Sequence, residues 1–362
     1  MTLSSNNPSD PAAFLAAIRP RLEMEIQQSV FDLTDDLDPA LEMDAFGVIL
    51  RDYLKSPGKR LRPLLFLLTL KALDPDRDID DGSLRFAAGL QVFHEFLLVH
   101  DDLIDASESR RGGPTLWKRV ASLPDLTLER ARSITLVLGD LLYARAVEQI
   151  TSLDLPSSNV LEALRFLMVV ARETGWGAAA EIRLSAEPIA GAMGPSIRAV
   201  YRAKTTRYTF EGPMTLAAIL TGAGSEIRPL IKTITRPLGL AFQLENDLHE
   251  LVSLAAPSTP IPADLNGRIK TLPMIRLLEA LPDRDGQRLK EIFDRPIGAD
   301  ERRSINQMVG DSKVIEAIRT EIGGLFNEPF TAIRAADIAP EIRDNLSRVI
   351  RFIQANRNHS EA

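Results

Sequence analysis

The chain has 362 residues, 45% of them hydrophobic and 26% charged, with a formal net charge of −7. That is the makeup of a globular chain with a sizeable core, in one large domain or two ordinary ones, and its acidity argues against a general nucleic-acid binder. Cysteine is absent and the four histidines, His94, His100, His249 and His359, are scattered, which excludes disulfides, thiolate chemistry and a histidine-rich zinc centre.

Residues 1–12 are polar with two prolines and read as a disordered lead-in. No basic stretch followed by an apolar core opens the chain, so a cytoplasmic location is expected. From Phe14 to about Leu54 apolar residues recur at helical spacing, with breaks near Asp35 to Pro39. Pro57-Gly58 then marks a turn, and Pro63 suits the first turn of a helix, where no backbone donor is needed. Lys59, Arg60 and Arg62 therefore cluster at a helix N-terminus, whose free amides also favour an anion. The run PLLFLLTLKAL is interrupted by Thr69 and Lys71, so it is no membrane span.

Residues 90–117 read LQVFHEFLLVHDDLIDASESRRGGPTLW. Leu90, Phe93, Leu97 and Leu98 lie on one helical face, and the run ends in Asp101, Asp102 and Asp105. Asp101 and Asp105 are i and i+4, so their carboxylates share a face. Like charges near a helix C-terminus oppose each other and the macrodipole. A hard divalent cation would reverse that sign, taking carboxylate and phosphate oxygens together. Arg110 and Arg111 suit the same ligand, since guanidinium forks match phosphate. A solvated acidic helix end is the competing reading of the acids alone.

The next helix is expected over 127–150, with Ile134, Val137, Leu138, Leu141, Leu142 and Val147 inward. Others follow over about 159–185 and about 196–221, the second carrying Lys204 and Thr205. Residues 237–254 repeat the central pattern: an apolar helix runs into Gln243, Asn246, Asp247 and Glu250, with Asn246 and Glu250 again i and i+4. A Pro/Ala/Ser-rich loop over 255–263 leads to DLNGRIKTLP, and helical patterning resumes to about Arg357 before a polar tail, 358–362. Without convincing strand alternation, the expectation is an all-α chain, one large helical bundle over 13–357.

GKRLRP at 58–63, DDLID at 101–105, RRGGPT at 110–115, Lys204-Thr205, FQ at 242–243 and DLNGRIKTLP at 264–273 occur together in an order that resembles the trans-isoprenyl diphosphate synthases, the polyprenyl synthetase family. The resemblance implies a helical bundle around a central cavity, a homodimer, and magnesium-assisted condensation of isopentenyl diphosphate with an allylic diphosphate. It assigns the isopentenyl diphosphate pocket to Lys59, Arg62, His94 and Arg111. Asp101 and Asp105 become Mg2+ ligands supported by Asp102, with Asn246 and Glu250 as the second set. Arg110, Lys204, Thr205 and Gln243 fall on the allylic side, and either Arg268 or Lys270 is the last diphosphate contact. Phe96, five residues before Asp101, becomes the floor of the product cavity, implying a short product, C20 ahead of C15. Two departures stand out: Asn246 and Glu250 replace family aspartates, and Ala178 in GAAAE occupies a glutamine position. Asn246-Asp247-Leu248 also partly matches the second metal motif of class I terpene cyclases, so a terpene synthase on this scaffold, or a non-catalytic partner subunit, are the alternative readings.

Overall fold

The computed structural model describes residues 11–35, 38–152, 157–189, 194–255, 261, 265, 267–293, 295 and 297–355. The expected lead-in, except where the first helix begins at Pro11, the polar tail and most of the 255–263 loop lie outside them. In chain order the helices are α1 (Pro11–Asp35), α2 (Asp44–Leu54), α3 (Leu61–Leu73), α4 (Asp81–Ile104), α5 (Leu116–Ala121), α6 (Leu128–Thr151), α7 (Ser157–Ser185), α8 (Gly194–Tyr201), a π-helical segment (Arg202–Glu211), α9 (Gly212–Thr221) and α10 (Ile227–Ser253). Then come α11 (Leu272–Ala280), α12 (Asp283–Phe293), α13 (Ala299–Asp311), α14 (Val314–Ala335) and α15 (Pro340–Ala355). Among the described residues the strands are two dipeptides, β1 (Ser109–Arg110) and β2 (Gly113–Pro114), paired antiparallel. The fold is all-α, and among the described residues no helix is long and apolar enough to cross a membrane.

Two helices form the axis of the bundle. α3 is buried from Pro63 to Leu73, and every residue of α9 from Gly212 to Leu220 is buried. A helix apolar on all sides has to sit inside a core, and α3 packs directly on α9. The amphipathic helices close around this pair, α4 against α6 and α10 against α14.

The single helix expected near 196–221 is divided. Its middle, RAKTTRYTFE, is π-helical, and the i→i+5 ladder of such segments is rare and concentrates at functional sites. The widened turn is admitted by Gly239 of α10, where an added Cβ would lie 2.6 Å from the Thr206 Cα. Any side chain at 239 would push the two elements apart.

The face of α6 differs from expectation. Leu138 and Leu142 are buried, but Val137 is 56% and Leu141 41% exposed, alongside Leu136 at 49%. Both residues therefore belong to an apolar stripe turned outward, because α6 carries apolar residues on more than one face.

The close approach at Gly239 gives a stability prediction. Gly239→Ala is expected to destabilise the fold by about 3 kcal/mol, at the upper end of overpacking costs, measured as a lower urea midpoint. An unchanged midpoint would mean that the π-helical segment is free to yield.

Candidate functional site

α4 delivers the acids. It ends at Ile104 with Asp105 as its C-cap, whose backbone N–H donates to the Asp101 carbonyl. The acids thus do sit against the negative end of the helix dipole. Asp102 is buried and accepts from Arg110 Nε at 2.9 Å and Nη2 at 2.8 Å. Burial raises its pKa against the opposing pull of Arg110. Burial and the neighbouring Asp101 also push Asp105 up to about 6.

The arginines come from a tight hairpin. Arg111 and Gly112 both have positive φ, 53° and 73°, between paired Arg110 and Gly113, the requirement of a two-residue turn that follows the strand twist. The loop before it is tied down where Thr115 Oγ1 and Trp117 Nε1 both donate to the Ser107 carbonyl, at 2.9 and 2.6 Å.

The π-helical segment joins α4, α7 and α10. Lys204 Nζ donates to Glu181 of α7 at 2.6 Å and lies 3.4 Å from Asp101. Burial alone would lower its pKa, but Glu181 and Asp101 outweigh that and raise it. The next residue, Thr205, donates to Gln243 Oε1 at 2.8 Å, and Gln243 Nε2 donates to Asp247 at 2.7 Å. Tyr201 donates to the other Asp247 oxygen and accepts from the Leu272 N–H at 2.9 Å. A chain of contacts therefore runs from Asp101 through Lys204 and Thr205 to Gln243 and Asp247. The two acidic helix segments, far apart in sequence, are joined in space by these residues.

Arg62, near the start of α3, donates to His94 Nε2 at 2.9 Å and to Thr209 Oγ1 at 2.7 Å, with its guanidinium 4.3 Å from the Tyr208 ring centre. Burial, then Arg62, holds the His94 pKa well below the usual imidazole range. A guanidinium only donates, so Nε2 accepts and the proton rests on Nδ1. That atom has no hydrogen-bond partner among the described residues. His94 thus keeps a buried donor available to an anion. Lys59 is exposed near Arg62 in sequence, and its carbonyl accepts from Arg19 at 3.2 Å.

Along α4 towards the core, Leu90 and Phe93 are buried while Phe96, Leu97 and Leu98 keep part of their surface accessible. Phe96 meets the Phe93 ring edge-on at 5.4 Å, His100 at 4.8 Å and Tyr143 of α6 at 5.3 Å. These rings cluster between α4 and α6.

The donor set fits a hard cation in kind, being carboxylate and amide oxygens. Asp102 Oδ2 and Asn246 Oδ1 are buried oxygens with no hydrogen-bond partner among the described residues. Among those residues, however, no group of three or more His, Asp or Glu is placed so that it could hold a metal ion. The Lys204 ammonium stands between Asp101 and Glu181 instead. Asn246 and Glu250 share α10 with Gln243 and Asp247.

Lys270 is buried and donates to the Leu184 and Ser185 carbonyls at the C-terminus of α7. A lysine there satisfies the free helix-end acceptors. Arg268 is exposed with φ 57°. Sequence reasoning missed Glu181, whose pairing with Lys204 depends on how α7 docks, and Glu95, which is buried and ion-paired to Arg60 and Arg111. A charged residue in the apolar face of α4 was the available signal for Glu95.

A model of the polyprenyl synthetase family matches residues 44–310. The short chain isoprenyl diphosphate synthase of Methanocaldococcus jannaschii is 27% identical over 263 residues, 72% of this chain and 71% of that protein. The geranylgeranyl pyrophosphate synthase of Geoglobus acetivorans is 28% identical over 229 residues, 63% of this chain and 67% of that protein. Among solved structures, a geranylgeranyl pyrophosphate synthase from Corynebacterium glutamicum, complexed with isoprenyl diphosphate and magnesium, superposes with a TM-score of 0.80. It covers 97% of this chain and 99% of its own, at 20% identity.

Burial, which outweighs the hydrogen bonds from Tyr201 and Gln243, pushes Asp247 up to about 7. Unfolded aspartate releases its proton near pH 4, so the folded state binds the extra proton between those values. Stability is therefore greatest below about pH 4 on this account and is lost as pH rises through about 7. Asp247→Asn should reduce the loss of unfolding free energy between pH 5 and pH 8, read by urea titration, by about 2–4 kcal/mol. An identical pH slope in both proteins would mean that Asp247 is ionised throughout.

Proposed function

We infer the reaction from a single premise: this chain belongs to the polyprenyl synthetase family, and it is a prenyltransferase. Its proposed reaction is the condensation of isopentenyl diphosphate with an allylic diphosphate. The observation that carries this reading is the chain of contacts from Asp101 through Lys204 and Thr205 to Gln243. It gathers cationic and amide groups beside the acids, the grouping a departing diphosphate requires.

In this proposal Arg110, Lys204, Thr205 and Gln243 hold the allylic diphosphate. Lys59, Arg62, Arg111 and the Nδ1–H of His94 hold isopentenyl diphosphate. Lys270 is occupied with the α7 carbonyls, so the exposed Arg268 is the better candidate for the last diphosphate contact. Asp101, Asp105, Asn246 and Glu250, with Asp102 in support, would hold Mg2+, which when bound offsets the charge that develops on the leaving diphosphate. The allylic C–O bond breaks with its electron pair leaving on diphosphate, the isopentenyl double bond forms the new C–C bond, and a proton leaves with the diphosphate. In this proposal the apolar side chains of Phe96 and Leu97 on α4 help to exclude water from the cation. The outward apolar stripe of Leu136, Val137 and Leu141 supports a homodimer through α6; a monomeric mass by light scattering would overturn that assignment.

Asp101→Ala is expected to lower turnover of isopentenyl diphosphate, with Mg2+ and an allylic primer, by at least about a thousandfold. The circular dichroism spectrum should be unchanged, because the carboxylate serves the ligand rather than the core. Near wild-type turnover would remove Asp101 from the site. Phe96 lies about 7.5 Å along the α4 axis from Asp101 at 1.5 Å per residue, and its contacts with Phe93 and Tyr143 support a floor there. The proposed product is accordingly C20 or C15. Phe96→Ala should lengthen it by at least one isoprene unit by chromatography, and an active variant with an unchanged product would place the floor elsewhere.

A further inference from the structure

Glu95 is fully buried, at 0% exposure, on the apolar stretch of α4. Its Oε1 accepts from Arg60 Nη1 at 3.2 Å, Gln91 Nε2 at 2.6 Å and Arg111 Nη1 at 3.1 Å. An ionised carboxylate so deep in a core is costly unless it is paired and hydrogen-bonded, and here one oxygen takes three donors. The two arginines come from separate segments, the turn before α3 and the β1–β2 hairpin. Both have left-handed backbones, with φ of 53°, a conformation that non-glycine residues seldom take.

The two guanidiniums crowd one spot. A Cβ added to Gly58 would lie 3.3 Å from Arg60 Nη1 and 3.3 Å from Arg111 Cζ. Two cations so close repel unless a shared anion lies between them, and Glu95 is that anion. Arg60 is also held by Glu23 at 3.0 Å and by the Leu54 and Ser56 carbonyls, so it would stay in place without Glu95. Arg111 would lose its ion pair and face Arg60 directly. Arg110, one residue earlier, pairs with Asp102 and does not depend on Glu95.

We propose that Glu95 is a positioning residue that aligns Arg111, through the shared Arg60–Glu95–Arg111 contact, for isopentenyl diphosphate and leaves the allylic side untouched. The proposal rests on the prenyltransferase reading above. A residue serving stability alone would loosen both substrate sites together. A positioning residue of this kind divides them, because it holds one arginine of the hairpin and not the other.

The test is steady-state kinetics of wild type, Glu95→Gln and the exchanged pair Gln91→Glu/Glu95→Gln, with each substrate varied in turn and thermal unfolding followed in parallel. Glu95→Gln is expected to raise KM for isopentenyl diphosphate at least tenfold, with kcat and the allylic KM within threefold of wild type. The exchanged pair restores one buried carboxylate a helical turn away and should recover at least threefold of that loss. Unchanged KM values, a fall in kcat alone, or equal rises in both KM values would each overturn the proposal. So would an exchanged pair no better than Glu95→Gln, or loss of folding in both variants, which would make Glu95 a stability residue. If wild type consumes no isopentenyl diphosphate with any allylic primer, the prenyltransferase reading fails by itself. Calorimetric titration of isopentenyl diphosphate into wild type and Glu95→Gln then decides the positioning role, with at least tenfold weaker binding expected in the variant and equal binding overturning it.

Discussion

The Lys204 ammonium between Glu181 and Asp101 is the contact on which the site depends. It ties α4 to α7 through a side chain that neither helix supplies. Asp101 and Asp105 stand at the wrong end of their helix for unpaired negative charge, and a fixed cation relieves that. On the proposed reading, a cation at the acids would replace the ammonium beside Asp101, and the lysine would turn to the diphosphate. Its two carboxylate partners gather the charges where the apolar face of α4 ends.

The π-helical segment makes that placement possible. A regular α-helix across 202–211 would close with i→i+4 bonds. The i→i+5 ladder closes each hydrogen bond one residue later and brings Lys204, Tyr208 and Thr209 to neighbouring positions. Lys204 then reaches Asp101, Thr205 reaches Gln243, and Tyr208 and Thr209 flank Arg62. Gly239 is the small residue that lets α10 meet the wider helix. Function and packing are coupled there, since the backbone that irregularly spaces the polar groups also leaves no room for a Cβ opposite it.

Buried charge elsewhere follows the same logic. Asp102 with Arg110 and Glu95 with Arg60 and Arg111 place ion pairs inside the bundle, where desolvation consumes most of the Coulombic gain. Such pairs are weak contributors to stability, so their value lies in geometry. They hold guanidiniums that would otherwise be long and mobile, and they do so from α4, whose inner half is tightly packed against the core.

Helical periodicity, the acidic pairs at i and i+4, and the order of the basic and acidic segments were legible in the amino-acid sequence, because each depends on residues within a few turns of one another. The all-α bundle and the position of the acids at the end of α4 followed from that. Tertiary structure alone decided the rest. Val137 and Leu141 follow the same spacing as Leu138 and Leu142 and yet face outward, since periodicity marks an apolar face without saying what covers it. Lys270 and Arg268 were equivalent as cations until the α7 C-terminus was found to engage one of them. The π-helical turn depends on a glycine over thirty residues away, and the Lys204 contacts with Asp101 and Glu181 join three elements distant in the chain. Local patterning carries no record of such meetings, because they are set by how the helices dock and by which buried charge each partner can satisfy.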